Sequence, residues 1–227
     1  MNINIQEISG DYSNIEGAVV LFALSTEDGY EFRPSAVQLD EKSNGALSKA
    51  ANASEFKGKF GQMVELLAPS GVAASRILLV GIGTMEGFTA LKAEQIGGKA
   101  IHKLMHSGEK NVTILIGVHA AHNAMGVRLR SYKFDKYYTT EKNVKKPSVE
   151  TVTILTLESE AAKAEFSSLS KIADGVIMAR NLVSEPGNVL YPESYAEQIK
   201  ELEQLGVEIE VLDEDAMEEF GMESILG

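Results

Sequence analysis

The stretch KIADGVIMARNLVSEPGNVLYP, residues 171–192, divides the chain into two parts. Pro186 disfavours helical geometry at Glu185, and Gly187 and Asn188 tolerate a turn. A helix is predicted to enter this break, because apolar residues recur before it at three- and four-residue spacing: Leu169, Ile172, Ala173, Val176, Ile177 and Val183. We therefore expect one complete domain before the break and the start of a second domain after it.

The composition is that of a globular protein. The chain has 227 residues, of which 44% are hydrophobic and 24% charged. It has no cysteine, which excludes a disulfide framework and a thiol nucleophile. The N-terminal MNINIQEISG lacks the pattern of a signal peptide, and no apolar run is long enough to span a bilayer. We expect a cytoplasmic protein without a membrane partner.

The charge balance argues against nucleic acid as the main partner. The formal net charge is -12, from 33 acidic and 21 basic residues, and it repels a polyanion. Lys142, Lys145 and Lys146 form a local basic cluster before Pro147. Because no aromatic residue is interleaved with them, a solvated loop is favoured over a phosphate contact.

Hydrophobic patterning predicts an α/β fold in which a mixed sheet is flanked by helices. Predicted strands occupy residues 2–8 (an edge strand), 17–24, 36–39, 62–67, 76–80, 111–116 and 149–157. Predicted helices occupy 44–53, 89–107, 119–132 and 159–184. Beyond the break we expect a helix at 192–205, a half-buried strand at 207–212 and a helix at 213–220. The expected divisions are a domain at 1–158, a linker helix at 159–184 and an incomplete α/β domain at 185–227.

A glycine pattern follows the strand predicted at 76–80. Gly81, Gly83 and Gly87 give G-x-G-x-x-x-G, one residue longer than the dinucleotide fingerprint. The next helix begins several residues later, so its N-terminus is not pressed against the turn. A tight strand-to-loop turn is favoured, and a phosphate or nucleotide pocket is the alternative.

Two further groups of residues have types that bind cations. His102 and His106 share a predicted helix face, as His119 and His122 do, so four imidazoles would bind a transition metal if the two helices met. Scattered surface histidines are the favoured interpretation. The acids Asp213, Glu214, Asp215, Glu218 and Glu219 are interpreted as a solvated helix face rather than a cation site. No G-x-S-x-G nucleophile motif is present in the sequence.

The chain resembles the leucyl aminopeptidase (cytosol aminopeptidase) family. The resemblance is most specific in ARNLVSEPGNVLYPESYAEQIKEL (179–202) and GVEIEVLDEDAMEEFGMESILG (206–227). GALSKAANASEFKGKFGQ (45–62), RILLVGIG (76–83) and YKFDKY (132–137) fit more loosely. The positions that fit the family pattern near the break are Ala179, Arg180, Leu182, Pro186, Asn188, Pro192, Glu193, Val211, Leu212, Asp213, Gly221 and Met222.

Two positions near the break depart from the family pattern. Ser184 stands where the family usually has Asn, and Tyr191 stands where threonine often precedes the helix proline. A tyrosine side chain cannot cap a first turn as threonine does, so we expect a helix start weaker by about 1 kcal/mol.

The resemblance implies a two-metal metallopeptidase, with manganese or zinc, that acts on the N-termini of peptides and assembles as a homohexamer. It also implies a macro-domain-like N-terminal domain with a role in assembly and in access to the active sites. The family's metal ligands and catalytic residues follow well after the segment at Gly221 and Met222, so no catalytic, cofactor-binding or metal-binding residue is carried over to this chain. We expect the 227 residues alone to be inert. The alternative is a macro-like module that binds a nucleotide or ADP-ribose.

Overall fold

The computed structural model of the chain describes residues 1–139 and 146–226. The chain forms two compact units, Met1–Ile177 and Met178–Gly227. In the described residues no helix combines the length and the apolar character needed to cross a membrane.

The first unit is built on a mixed sheet. The described strands are β1 (Asn2–Glu7), β2 (Gly17–Thr26), β3 (Gly29–Phe32), β4 (Met63–Leu67), β5 (Ala74–Gly81), β6 (Asn111–Leu115) and β7 (Thr151–Thr156). The order is β1-β7-β6-β2-β5-β4, with β3 paired to β2. Neighbours from β1 to β5 in this order are parallel, whereas β3 and β4 are antiparallel to β2 and β5. The α/β fold with a mixed sheet is therefore confirmed.

Helices cover both faces of the sheet. They are α1 (Pro34–Lys42), α2 (Ala46–Ala53), α3 (Ala90–Leu104), α4 (Ala120–Ser131) and α5 (Ser159–Ser184). Side chains alternate along β2, so Val20 and Phe22 pack with residues of α3 and α4, while Val19 and Leu21 pack with residues of α1 and α2. The continuous apolar runs of β2 and β5 are explained by this burial on two faces.

Most predicted elements are confirmed, but two assignments in the first unit need correction. Residues 36–39, predicted as a strand, lie inside α1. So short a segment, with three apolar residues among four, cannot distinguish a strand from a helical turn, and Pro34 at the start of α1 is the signal that favours the helix. The second correction is β3 (Gly29–Phe32), a short strand that the sequence analysis does not predict.

The second unit contains short helices. They are α6 (Pro192–Lys200), α7 (Glu214–Glu219) and α8 (Glu223–Leu226), and a 3-10 turn at Glu201–Leu205 follows α6. The strand predicted at 207–212 is wrong, since these residues, all within the described part of the chain, form no strand. Their alternating pattern needs a partner strand to satisfy the backbone, and the described residues offer them none.

The N-terminus of α6 is stabilised by Ser194, a residue that the sequence analysis did not single out. Ser194 Oγ accepts a hydrogen bond of 3.0 Å from the backbone N–H of Tyr191, as the third helical residue does in a capping box. Asp213 similarly caps α7, since its Oδ1 accepts from the N–H of Ala216 at 2.9 Å.

Candidate functional site

The four histidines do not come together. On α3, Nδ1 of His102 lies 2.6 Å from Nη2 of Arg130, and His106 is exposed beyond the end of that helix. His119 precedes α4 with a left-handed backbone, φ 55°, and its ring centroid is 6.1 Å from that of Phe88. These three imidazoles therefore have separate surroundings.

His122 lies between two carboxylates. Its Nε2 is 3.3 Å from Oε1 of Glu165, and its Nδ1 is 4.0 Å from Oε2 of Glu94. Within residues 1–139 and 146–226, no group of three or more His, Cys, Asp or Glu side chains is arranged to hold a metal ion. The described residues therefore do not form a metal centre.

The glycine turn at the end of β5 is held by hydrogen bonds to neighbouring backbone segments. The N–H groups of Gly81, Ile82 and Gly83 donate to the carbonyl oxygens of Gln62, Ala23 and Gly58 at 2.8, 3.0 and 2.9 Å. A side chain at Gly81 would overlap the backbone of residues 58–59. All three amides are thus engaged within the protein, and none is left to bind a phosphate in the way a nucleotide loop does.

Among the described residues, the charged side chains of the two clusters noted in the sequence lie at the surface. The acids of α7 and its cap are exposed, as a solvated face would be. Lys142 and Lys145 lie outside the described residues, and Lys146 is exposed.

A cavity of about 160 Å³ lies at the carboxyl ends of the parallel strands. Its apolar wall includes Phe22, Ile82, Phe88, Leu115 and Ile116, and its polar side chains are Tyr12, Arg33 and Ser35. Sequence reasoning missed this feature because the cavity forms only where the ends of several strands distant in sequence meet. The signal available in the sequence was Arg33-Pro34-Ser35, a helix start directly after a short strand.

Comparison with known families assigns both parts of the chain. The family model for the N-terminal domain of the cytosol aminopeptidase family matches residues 18–141. The chain belongs to the cytosol aminopeptidase family. The model for the catalytic domain of the same family matches residues 177–227, so the chain covers the N-terminal domain and a start of the catalytic domain. This is a family of hydrolases, and the expected family is confirmed.

Curated relatives of the chain are described as probable cytosol aminopeptidases. A probable cytosol aminopeptidase of Caulobacter vibrioides is 38% identical over 214 residues, which are 93% of this chain and 43% of the relative. One from Chelativorans sp. is 41% identical over 192 residues, 81% of this chain and 38% of the relative. The chain thus spans less than half the length of these curated relatives.

Solved structures share the fold. A tomato leucine aminopeptidase mutant superposes with a TM-score of 0.78 at 24% identity, covering 96% of this chain and 46% of that one. The bottromycin maturation enzyme BotP in complex with Mn gives a TM-score of 0.59 at 17% identity over 83% of this chain and 36% of that one.

Proposed function

We propose that these residues are part of a metallo-aminopeptidase that removes N-terminal amino acids from peptides. The observation that carries the proposal is the match of two domain models of one family, in order, to residues 18–141 and 177–227. The water that attacks the scissile bond would be activated by two divalent metal ions, manganese or zinc. A protein of the same fold, BotP, has been solved with Mn, which supports a divalent metal in the complete protein.

The part played by these 227 residues is proposed to be scaffolding. Residues 1–158 would form a macro-like domain concerned with assembly and access, 159–184 a linker helix and 185–227 the first elements of the catalytic domain. The complete protein would be a cytoplasmic homohexamer. The length of the curated relatives supports the division into a first domain and the first elements of a catalytic domain, because the residues matched here are about two fifths of each relative.

Hydrolysis of leucine p-nitroanilide by the purified 227-residue chain tests this division of roles. The assay is run with added manganese and, in parallel, with a chelator, because metal-dependent turnover must disappear when the metal is removed. We expect no turnover above the chelated control. Activity that co-elutes with the chain on size exclusion and is abolished by the chelator would place metal ligands within these residues and overturn the scaffold role.

A further inference from the structure

The cavity described above occupies the position where open α/β sheets bind ligands. Strands β1, β7, β6, β2 and β5 are parallel, so their carboxyl ends meet at one edge of the sheet. The next parallel strand after β2 in the chain is β5, which lies on one side of β2 in the sheet. The strands that follow, β6 and then β7, lie on the other side of β2, so the direction in which strands are added reverses. Such a reversal leaves a crevice outside the carboxyl ends of the two central strands.

The interior of the cavity is apolar and small. Phe22, Ile82, Phe88 and Ile116 line it and are themselves buried. Its volume of about 160 Å³ is close to that of an engineered apolar cavity, about 150 Å³, that accepts benzene. A branched aliphatic group or a single ring therefore fits, whereas a nucleotide requires the larger volumes of typical cofactor clefts, on the order of 300–1,000 Å³.

The first turn of α1 lies at one end of the cavity and favours an anion there. The carbonyl oxygen of Arg33 accepts the N–H groups of Ala36 and Val37 at 2.8 and 3.1 Å. The N–H of Ser35 has no acceptor among the described residues, and Pro34 has no N–H to offer. A helix N-terminus with a free amide attracts negative charge.

Two side chains at this end also lack partners. Ser35 is only 7% exposed and lines the cavity, yet its hydroxyl makes no hydrogen bond within residues 1–139 and 146–226. Arg33 also lines the cavity, and its guanidinium forms no ion pair with any described residue. The Ser35 hydroxyl and the Arg33 guanidinium are therefore both available to donate hydrogen bonds to an acceptor in the cavity.

The charge of the lining has one sign. In the described part of the chain, Arg33 is the charged residue that lines the cavity, and neither Asp nor Glu is among the lining residues. The local positive charge of Arg33 therefore favours an anion at this end of the cavity.

We propose that this cavity binds a small carboxylate that carries a branched aliphatic or aromatic group. The carboxylate accepts hydrogen bonds from the Arg33 guanidinium, the Ser35 hydroxyl and the Ser35 N–H, and the apolar group fills the space bounded by Phe22, Ile82, Phe88 and Ile116. Every residue in this site belongs to the first compact unit.

Titration of the 227-residue chain with 4-methylpentanoate tests the proposal, followed by calorimetry and by amide chemical shifts. We expect saturable binding of one ligand per chain, with the largest shifts at the amides of Ser35 and Gly117. Arg33→Gln should weaken binding at least tenfold. Arg130→Gln is the matched control, since it removes the same charge from an exposed arginine on α4 that does not line the cavity, and it should leave the affinity unchanged.

Two comparisons on the unaltered chain keep the test decisive even if Arg33→Gln does not fold. The neutral 4-methylpentanamide should bind at least tenfold more weakly than the acid, because it lacks the charge that Arg33 recognises. Acetate should also bind at least tenfold more weakly, because it leaves the apolar space empty. Equal binding of acid and amide, shifts remote from the cavity, or no saturable binding of 4-methylpentanoate would overturn the proposal.

Discussion

At the scale of single residues, Glu65 is a carboxylate that two basic side chains stabilise in its ionised form. Its side chain is 22% exposed and pairs with Nη1 of Arg76 on the neighbouring strand and with Nζ of Lys103, 3.3 Å away on α3. Burial by itself would raise the pKa of this carboxyl, but the hydrogen bonds from Arg76 and Lys103 prevail and lower the pKa below its ordinary value of 4.5. Glu65 therefore stabilises the fold in its ionised form.

Replacing Glu65 by Gln should lower the free energy of unfolding at pH 7 by about 1–3 kcal/mol, because the half-buried guanidinium of Arg76 loses an ionised partner. Since the folded pKa lies below the unfolded one, the stabilisation is present above pH 4.5 and is lost as the pH falls through the folded pKa. Urea unfolding of both chains across this range measures the difference.

The matched control is Glu160→Gln. Glu160 also pairs with a lysine, Lys163 at 2.6 Å, but its side chain is 86% exposed, so the change should stay within about 0.5 kcal/mol. A Glu65→Gln deficit that persists undiminished in acid would contradict a role for the ionised carboxylate.

Contacts between residues on distant elements could not be predicted from the sequence, whereas local patterns could. The resemblance pointed to the family through local runs such as EPGNVLYPE, and the glycine turn at the end of β5 was interpreted correctly from its spacing. The partners of Glu65 and of His122 lie on elements distant in sequence, and only the packing of those elements brings them together. Arg33 and Ser35 were missed for the same reason, because the cavity requires five parallel strands to end together.

At the scale of elements, α3 and α4 pack through small residues. A methyl group at Gly126 on α4 would overlap the carbonyl oxygen of Glu94 on α3, and one at Gly97 would overlap that of Asn123. The amide of the buried Asn123 donates to the carbonyl of Ala93 at 3.1 Å across this contact. The two helix backbones therefore approach each other as closely as glycine permits.

Gly126→Ala should lower the free energy of unfolding by about 1–3 kcal/mol, because the added methyl group meets backbone atoms that cannot move without separating the helices. Gly175→Ala on α5 is the control with the opposite sign. Gly175 is exposed, with nothing within 4 Å of an added Cβ, so alanine should stabilise the chain by about 0.5–1 kcal/mol. Thermal unfolding compares them, and a neutral Gly126→Ala would contradict the close contact.

A helix or strand could be predicted from the sequence when residues near it in the chain determine its structure. The runs GAVVLFAL and RILLV predicted β2 and β5 because strands buried on both faces need continuous apolar residues. The 26 residues of α5 were predicted with the observed bounds because a long periodic pattern leaves no competing interpretation. The alternation at 207–212 predicted a strand incorrectly, because a strand also requires a partner that no local pattern specifies.

At the scale of the whole molecule, the two compact units differ in their interiors. The first has side chains such as Leu21, Leu79 and Ile114 with no exposed surface. In the second, none of the described side chains from 178 to 225 is buried, and Val183, Leu205 and Phe220 are among the large apolar residues left exposed. Burial of apolar area is the main favourable term in folding, so the two units should differ in local stability.

Amide hydrogen exchange of the 227-residue chain, read by mass spectrometry, measures this difference. Peptides from 192–226 should exchange within seconds, because their helices are held by few buried contacts and can open without unfolding the sheet. Peptides from β2 and β5 should stay protected for hours, since their exchange requires global unfolding.

Repeating the measurement at tenfold higher protein concentration separates two causes of protection in 192–226. Protection that grows with concentration would show that copies of the chain cover the exposed apolar residues of the second unit, whereas strong protection independent of concentration would contradict its low local stability.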